Sequence, residues 1–409
     1  MNFATELLHE IPPDKLTGST TSPIYQTAAY YQESAEQMES IFKGRKAGFV
    51  YTRVGNPTIA AFERRLAALE HGMGAVAFAS GMSAISMAIL NILEAGDEIV
   101  SSSGLFGGTS ALFKDLESFG IKVRYAVENT SDNFSSLLTD KTKLIYVETI
   151  GNPKLDVADI KALAELAHSV GIPLFVDSTV TTPYLVRPLE LGADVVIHST
   201  SKMINGGGNS IGGVVICGNK FKWQANKFPK LAEFENLGAM GYLLRLRSHM
   251  LMNFGGCAAP LNIFLTGVGL DTLELRMERS CNNALALAEF LNNEGIQVNY
   301  LGLSNNQYHN LAKEQFNNHF GTMLTLRLGS REAAFKFINS LKFALNVSNI
   351  GDARTLVVHP ASTIFLHATK EEKEQAGVTE DLVRVSVGLE NIEDLISDFS
   401  AALFGGAKC

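Results

Sequence analysis

Pro173-Leu-Phe-Val-Asp177 and Asp194-Val-Val-Ile-His198, the second running on into Ser199-Thr200-Ser201-Lys202, are two short apolar runs that each close on a polar residue. They are too short for helices and too apolar to alternate, as expected of strands covered by helices on both faces. Ligands of open α/β sheets sit at the carboxyl ends of strands. Asp177 and Lys202 both fall on that edge.

Working outward, five more runs have the same character: Ala75–Ala79, Glu98–Ser102, Lys122–Ala126, Lys143–Val147 and Gly213–Cys217. Helical patterns separate them, so residues 56–250 read as an α/β domain with a seven-stranded sheet. Residues 1–55 are polar and irregular, with Pro12, Pro13 and an aromatic stretch around Tyr25, Tyr30 and Tyr31, an arm that packs on something else. From 251 to 409 the pattern changes to amphipathic helices (Asn262–Asn293, Glu332–Leu341, Ile392–Leu403) and isolated strands (Thr322–Leu328, Leu382–Val387), a smaller α+β domain.

Composition narrows the function. Of 409 residues 46% are hydrophobic, enough for two cores, and 34 Lys and Arg against 42 Asp and Glu give a net charge of −8 without charge blocks. That excludes nucleic acid and anionic membrane as obvious partners and favours a small-molecule substrate. Cys217, Cys257, Cys281 and Cys409 are scattered, with no spacing for a metal cage or a disulfide framework, which fits a reducing cytoplasm. Met1–Glu10 carries Glu6, His9 and Glu10 and lacks the layout of an export signal. Ala75–Leu93 is uncharged, yet Ser80, Gly81, Ser83, Ser86 and Asn91 interrupt it, and it reads as a strand followed by a helix that begins at Ser80 or Gly81 and is closed by Gly96.

A lysine in a low-dielectric site traps carbonyls, and a carboxylate pairs with a pyridinium nitrogen, so Lys202 and Asp177 on adjacent strand ends fit pyridoxal 5′-phosphate. Ser199 and Ser201 supply hydroxyls for a phosphate, and Gly206-Gly207-Gly208 permits a tight turn. Ser80-Gly81-Met82 places free N–H groups where a strand meets a helix. Phe106, before Gly107 and Gly108, offers a ring to stack on a pyridine, or fills the core. Tyr51 and Arg53, in Tyr51-Thr-Arg-Val-Gly-Asn-Pro-Thr58, can grip a phosphate, or form a solvated loop. Arg384 lies inside the apolar run Leu382-Val-Arg-Val-Ser-Val-Gly388, where a substrate carboxylate or a structural ion pair must meet it.

In this order these elements resemble, over essentially the whole chain, the Cys/Met-metabolism family of pyridoxal-phosphate enzymes. The resemblance implies the aspartate-aminotransferase-like fold (fold type I). It implies Lys202 as the Schiff-base lysine and base, Asp177 as the pyridinium partner, Phe106 as the stacking ring, and Gly81, Met82, Ser199 and Ser201 as the phosphate cradle. It further implies Tyr51 and Arg53 lent to a neighbouring subunit in a homotetramer of dimers, and Asn152, Ser348 and Arg384 around the substrate carboxylate. No metal is implied. Glu235-Asn-Leu-Gly-Ala-Met240, Leu275-Arg-Met-Glu-Arg279 and Gly351-Asp-Ala-Arg-Thr355 look nearest to O-acetylhomoserine sulfhydrylases. The expected reaction is γ-replacement on O-acetyl-L-homoserine, with sulfur arriving as free sulfide or on a carrier protein. The alternatives are a methionine or cystathionine γ-lyase, a cystathionine γ-synthase, and a noncatalytic binding protein on the same fold. Phe106 stands where most members have tyrosine, Ser201 where threonine is usual, and Met203 and Gly207 where an aromatic and a histidine are usual. Gly108 stands where methionine γ-lyases commonly have cysteine.

Overall fold

The computed structural model describes residues 2–15 and 17–405, so Met1 and Cys409 lie outside the described residues. All seven apolar runs are strands, within a residue of the bounds read from the sequence: β1 Gly74–Phe78, β2 Glu98–Ser102, β3 Lys122–Ala126, β4 Thr142–Glu148, β5 Leu174–Asp177, β6 Val195–His198 and β7 Gly213–Cys217. They form one sheet in the order β1-β7-β6-β5-β4-β2-β3. Only β7 runs against its neighbours. Helices cover both faces, so successive residues enter different cores: Ile145 and Val147 of β4 join one cluster, Leu144 and Tyr146 the other. Burial of each such side chain contributes about 1.5–3 kcal/mol, which is why the inner strand β4 is apolar on both faces, whereas the edge strand β3 keeps Lys122 and Arg124 toward water.

Two buried polar groups set how helices meet this sheet. Glu63, in the helix Pro57–Leu69, accepts the Ala77 N–H at 2.8 Å and pairs with Arg247 at 2.7 Å. Burial raises its pKa, and Arg247 opposes that rise. The helix that begins at Gly81 ends at Leu90 rather than running on to Gly96, and Arg245 donates to both the carbonyl and the side-chain oxygen of its C-cap residue, Asn91, at 2.9 Å. Gly96, at φ +99°, turns the chain into β2. Ala75–Leu93 is thus a strand and a ten-residue helix, and among the described residues no helix is long and apolar enough to cross a membrane.

The arm carries helices Phe3–His9 and Ala35–Phe42 and is pinned along its length. Leu7 enters the first core, its carbonyl accepts from Arg65 at 2.7 Å, and Asn56 donates to Tyr25 O and the Tyr30 hydroxyl at 2.8 Å.

The second sheet has five strands, β8 Gln297–Asn299, β9 Met323–Arg327, β10 Leu345–Asn346, β11 Leu356–Val358 and β12 Leu382–Ser386, in the order β10-β11-β12-β9-β8. β9 and β12 were legible, whereas the other three are too short to show alternation. Helices Leu273–Asn293, Arg331–Ser340 and Ile392–Phe404 bury Leu287, Phe337 and Phe399 against Leu324, Val383 and Val385. The helix expected over Asn262–Asn293 is two helices, Pro260–Leu270 and Leu273–Asn293. The break occurs where the Arg276 side chain takes the Gly269 carbonyl at 2.7 Å and the Thr272 hydroxyl at 3.1 Å.

Glu63→Leu leaves the Ala77 N–H without its acceptor and the Arg247 guanidinium with only the Ala75 carbonyl, so it should lower stability by about 3 kcal/mol. The denaturation midpoint reads this, and an unchanged midpoint would show that the pair contributes nothing.

Candidate active site

β1, β2, β4, β5 and β6 run in one direction, so the residues after them converge on one edge of the sheet. The second sheet faces that edge with Arg384 and the 348–350 turn. Between them lies a cavity of about 480 Å³.

At one part of this lining, Ser80 caps the helix Gly81–Leu90 by accepting the Ser83 N–H at 3.1 Å. The first-turn N–H groups of Gly81 and Met82 have no upstream helical carbonyl and are donors for an anion. Gly81 must be glycine, since a Cβ there would lie 2.6 Å from Ser199 Cβ. Ser199 is held by its own N–H, which donates to Thr179 Oγ1 at 2.8 Å, and Ser201 exchanges bonds with Gly212 at 3.0 and 3.2 Å. These donors fit a phosphate.

Asp177 is buried, and burial raises its pKa. It accepts the Thr179 N–H at 3.0 Å and the Tyr146 hydroxyl at 3.4 Å. Beside it in register stands Glu148, whose carboxyl is pushed well above the usual range by burial and by the charge of Asp177, and which accepts the Phe106 N–H at 2.7 Å. A cationic ring N–H would satisfy this buried acidic pair, so the lining fits the pyridine as well as the phosphate of pyridoxal phosphate. The Phe106 ring lies over Gly108, where a Cβ would come within 2.5 Å of ring atom Cε1. A side chain at 108 would therefore displace the ring.

Arg384 is 3% exposed and, among the described residues, forms no ion pair. Its Nη1 donates to Asn152 Oδ1 at 3.1 Å and Nη2 to Asn349 O at 3.0 Å, while Nε has no partner. Burial lowers its pKa to about 10. A buried guanidinium with an unused donor is a site for a carboxylate. Lys202 donates to Asn349 Oδ1. Its pKa falls to about 8, first through burial and then through the charge of Arg384.

The structure therefore brings Lys202, Asp177, Phe106, Gly81, Met82, Ser199, Ser201, Asn152, Ser348 and Arg384 to one cavity. Tyr51 and Arg53 lie outside it: Arg53 donates to Met252 O and stacks on Tyr51, which is exposed. Ser348 is exposed, and the contacts to Lys202 and Arg384 come from its neighbour Asn349. Sequence reasoning missed Asn349, which carries no local signal, and Glu148 and Thr179. Glu148 ends a strand exactly as Asp177 does, and the same edge rule finds it.

The profile of the Cys/Met metabolism PLP-dependent enzymes matches residues 4–404. A Schizosaccharomyces pombe protein named homocysteine synthase is 42% identical, covering 98% of this chain and 98% of its own. An O-acetyl-L-homoserine sulfhydrylase of Leptospira meyeri is 42% identical over 96% of this chain and 94% of its own. A crystal structure of an O-acetylhomoserine (thiol)-lyase from Campylobacter jejuni, carrying N′-pyridoxyl-lysine-5′-monophosphate, superposes with a TM-score of 0.94 at 33% identity, covering 98% of this chain and all of that one.

In cofactor-free protein, acylation of Lys202 followed by mass spectrometry should titrate with a midpoint near 8. Arg384→Leu removes the second of the two lowering causes, so the midpoint should rise toward the ordinary lysine value. A fall, or no change, would mean that the Arg384 charge does not reach Lys202.

Proposed function

The chain belongs to the Cys/Met metabolism PLP-dependent enzyme family, and on that footing we propose that it carries out γ-replacement on O-acetyl-L-homoserine, taking up sulfide and releasing L-homocysteine and acetate. Its fold is PLP fold type I, its cofactor pyridoxal 5′-phosphate. The observation that carries the reading is the pairing, on Asn349, of a low-pKa amine with a buried, anion-free guanidinium in one cavity. Among the described residues the cations lining that cavity are Lys202 and Arg384, and Ile211, Ile350 and Ile364 supply apolar wall. An uncharged acetyl group suits such a wall, whereas a second carboxylate or a phosphate ester would need a further cation.

Lys202 would hold the cofactor covalently, with Ser199, Ser201 and the N–H groups of Gly81 and Met82 at its phosphate, Asp177 at its ring nitrogen and Phe106 on its ring face. When bound, pyridoxal phosphate supplies the electron sink that acidifies the substrate Cα–H. Arg384, oriented by Asn152 and Asn349, grips the substrate carboxylate in bidentate fashion. The Lys202 amine, whose pKa burial lowers to about 8 so that more of it is unprotonated near neutral pH than in an ordinary lysine, takes the proton from Cα and, once it has released that proton, takes one from Cβ. Acetate leaves Cγ with the bonding pair, sulfide adds at Cγ, and Lys202 returns protons to Cβ and Cα. With Phe106 bringing no hydroxyl, Lys202 carries these proton movements.

Tyr51 and Arg53, exposed and outside their own chain's cavity, are read as donors to the phosphate site of a neighbouring subunit, in a homotetramer of dimers. The unpaired Cys217, Cys257 and Cys281 suit a cytoplasmic setting.

Purified enzyme given O-acetylhomoserine and sulfide should form homocysteine, and given methionine alone should release little 2-oxobutanoate. Rapid oxobutanoate release without homocysteine synthesis would replace γ-replacement by γ-elimination. Lys202→Ala should remove both the visible cofactor band and turnover, and a variant that keeps both would end the role assigned to Lys202. Phe106→Tyr should leave cofactor affinity within about twofold, a few tenths of a kcal/mol, yet change kcat; unaltered kinetics would show that the absent hydroxyl is not limiting.

A further inference from the structure

The turn that follows Lys202 is clasped by a second, half-buried guanidinium, and the proposed chemistry gives it no task. Arg276, in the first turn of the helix Leu273–Asn293, donates from Nη1 to Met203 O at 2.6 Å and from Nη2 to Ile204 O at 3.1 Å and Gly269 O at 2.7 Å. Its Nε donates to Thr272 Oγ1 at 3.1 Å, so all three guanidinium nitrogens are engaged. Burial lowers its pKa to about 10, with no charged group contributing. Arginine is a surface-prone residue, yet this one is half-buried on neutral acceptors, and two of the three carbonyls it takes are those directly after Lys202.

The surrounding chain is cut to admit this contact. Gly206 has φ +64°, and a Cβ on it would lie 2.1 Å from Arg276 Nη1. A Cβ on Gly269 would lie 1.9 Å from Asn205 O. On the opposite side, Gly351 approaches so closely that a Cβ would stand 2.5 Å from Met203 N, and Ala353 N–H donates to Gly206 O at 2.8 Å. The turn is therefore held between Arg276 and the 351–353 segment, two residues beyond Asn349.

We propose that Arg276 is a positioning residue: by fixing Met203 and Ile204 it sets where the Lys202 amine stands against Asn349 and Arg384. The proposal rests on the reading of Lys202 as the working amine. The charged groups lining the cavity with Lys202 are Arg384, Asp177 and Glu148, so its titration reports its place among them. When the clasp is lost, the turn moves away from Arg384 and admits water, and both changes raise the lysine toward its ordinary value.

The test uses cofactor-free protein acylated with acetic anhydride between pH 6 and 10, with Lys202 read by mass spectrometry. Arg276→Met should shift the midpoint up by about one unit, which lowers labelling at pH 8 about fivefold. Arg276→Lys keeps the charge but not the fork and should shift it by less. In loaded enzyme, Arg276→Met should lower kcat about tenfold while KM for the amino acid stays within about twofold. A wild-type midpoint in folded Arg276→Met overturns the proposal. Should that variant fail to fold, Arg276→Lys carries the test, and an unshifted midpoint in it overturns the proposal equally. Failure here leaves the Lys202→Ala result intact, whereas an active Lys202→Ala removes the premise.

Discussion

Arg384 and Lys202 share one cavity, and among the described residues neither forms an ion pair there. A buried cation without an anion is destabilising unless hydrogen bonds hold it, and its field lowers the pKa of any amine nearby. Asn152 and Asn349 are those hydrogen-bond partners, being neutral, so they orient the guanidinium without cancelling its charge. A carboxylate in their place would satisfy Arg384 permanently and cancel the second of the two causes that lower the Lys202 pKa. The unpaired charge therefore prepares both the anion site and the base.

The two cations come from different sheets, and this is why the architecture matters. Lys202 follows β6 of the seven-stranded sheet, and Arg384 lies in the middle of β12, opposite Thr325 of β9. The covered faces of the first sheet leave its carboxyl edge as the place where polar side chains gather, and Asp177, Glu148 and Ser199 all stand there. The second sheet closes this edge. Asn349 touches both cations, so the relative position of the sheets is read directly into the site.

Close approach is the other recurring constraint. Gly81 against Ser199, Gly108 under Phe106, and Gly206 against Arg276 each remove a Cβ where another group must pass. Side chains there would act by displacement rather than by chemistry. The Phe106 ring and the Lys202 turn are thus placed by glycines as much as by their own packing.

The apolar runs, their length and their polar ends were enough to read the seven-stranded sheet, because a strand buried on both faces leaves an unbroken hydrophobic signature. The lysine and the aspartate were legible from their place at the ends of such strands, and the arginine because a charge inside an apolar strand is anomalous. The three short strands of the second sheet carried no such pattern, and the division of Asn262–Asn293 depended on Arg276 reaching back to Gly269. Asn349 was hidden because its worth lies in contacts 147 residues away from it, to Lys202, and 35 residues away, to Arg384. What the chain determines by itself is local: periodicity, turn chemistry and misplaced charge. Only the tertiary structure decided which charges face one another without partners, since that depends on distances between segments that no local pattern encodes.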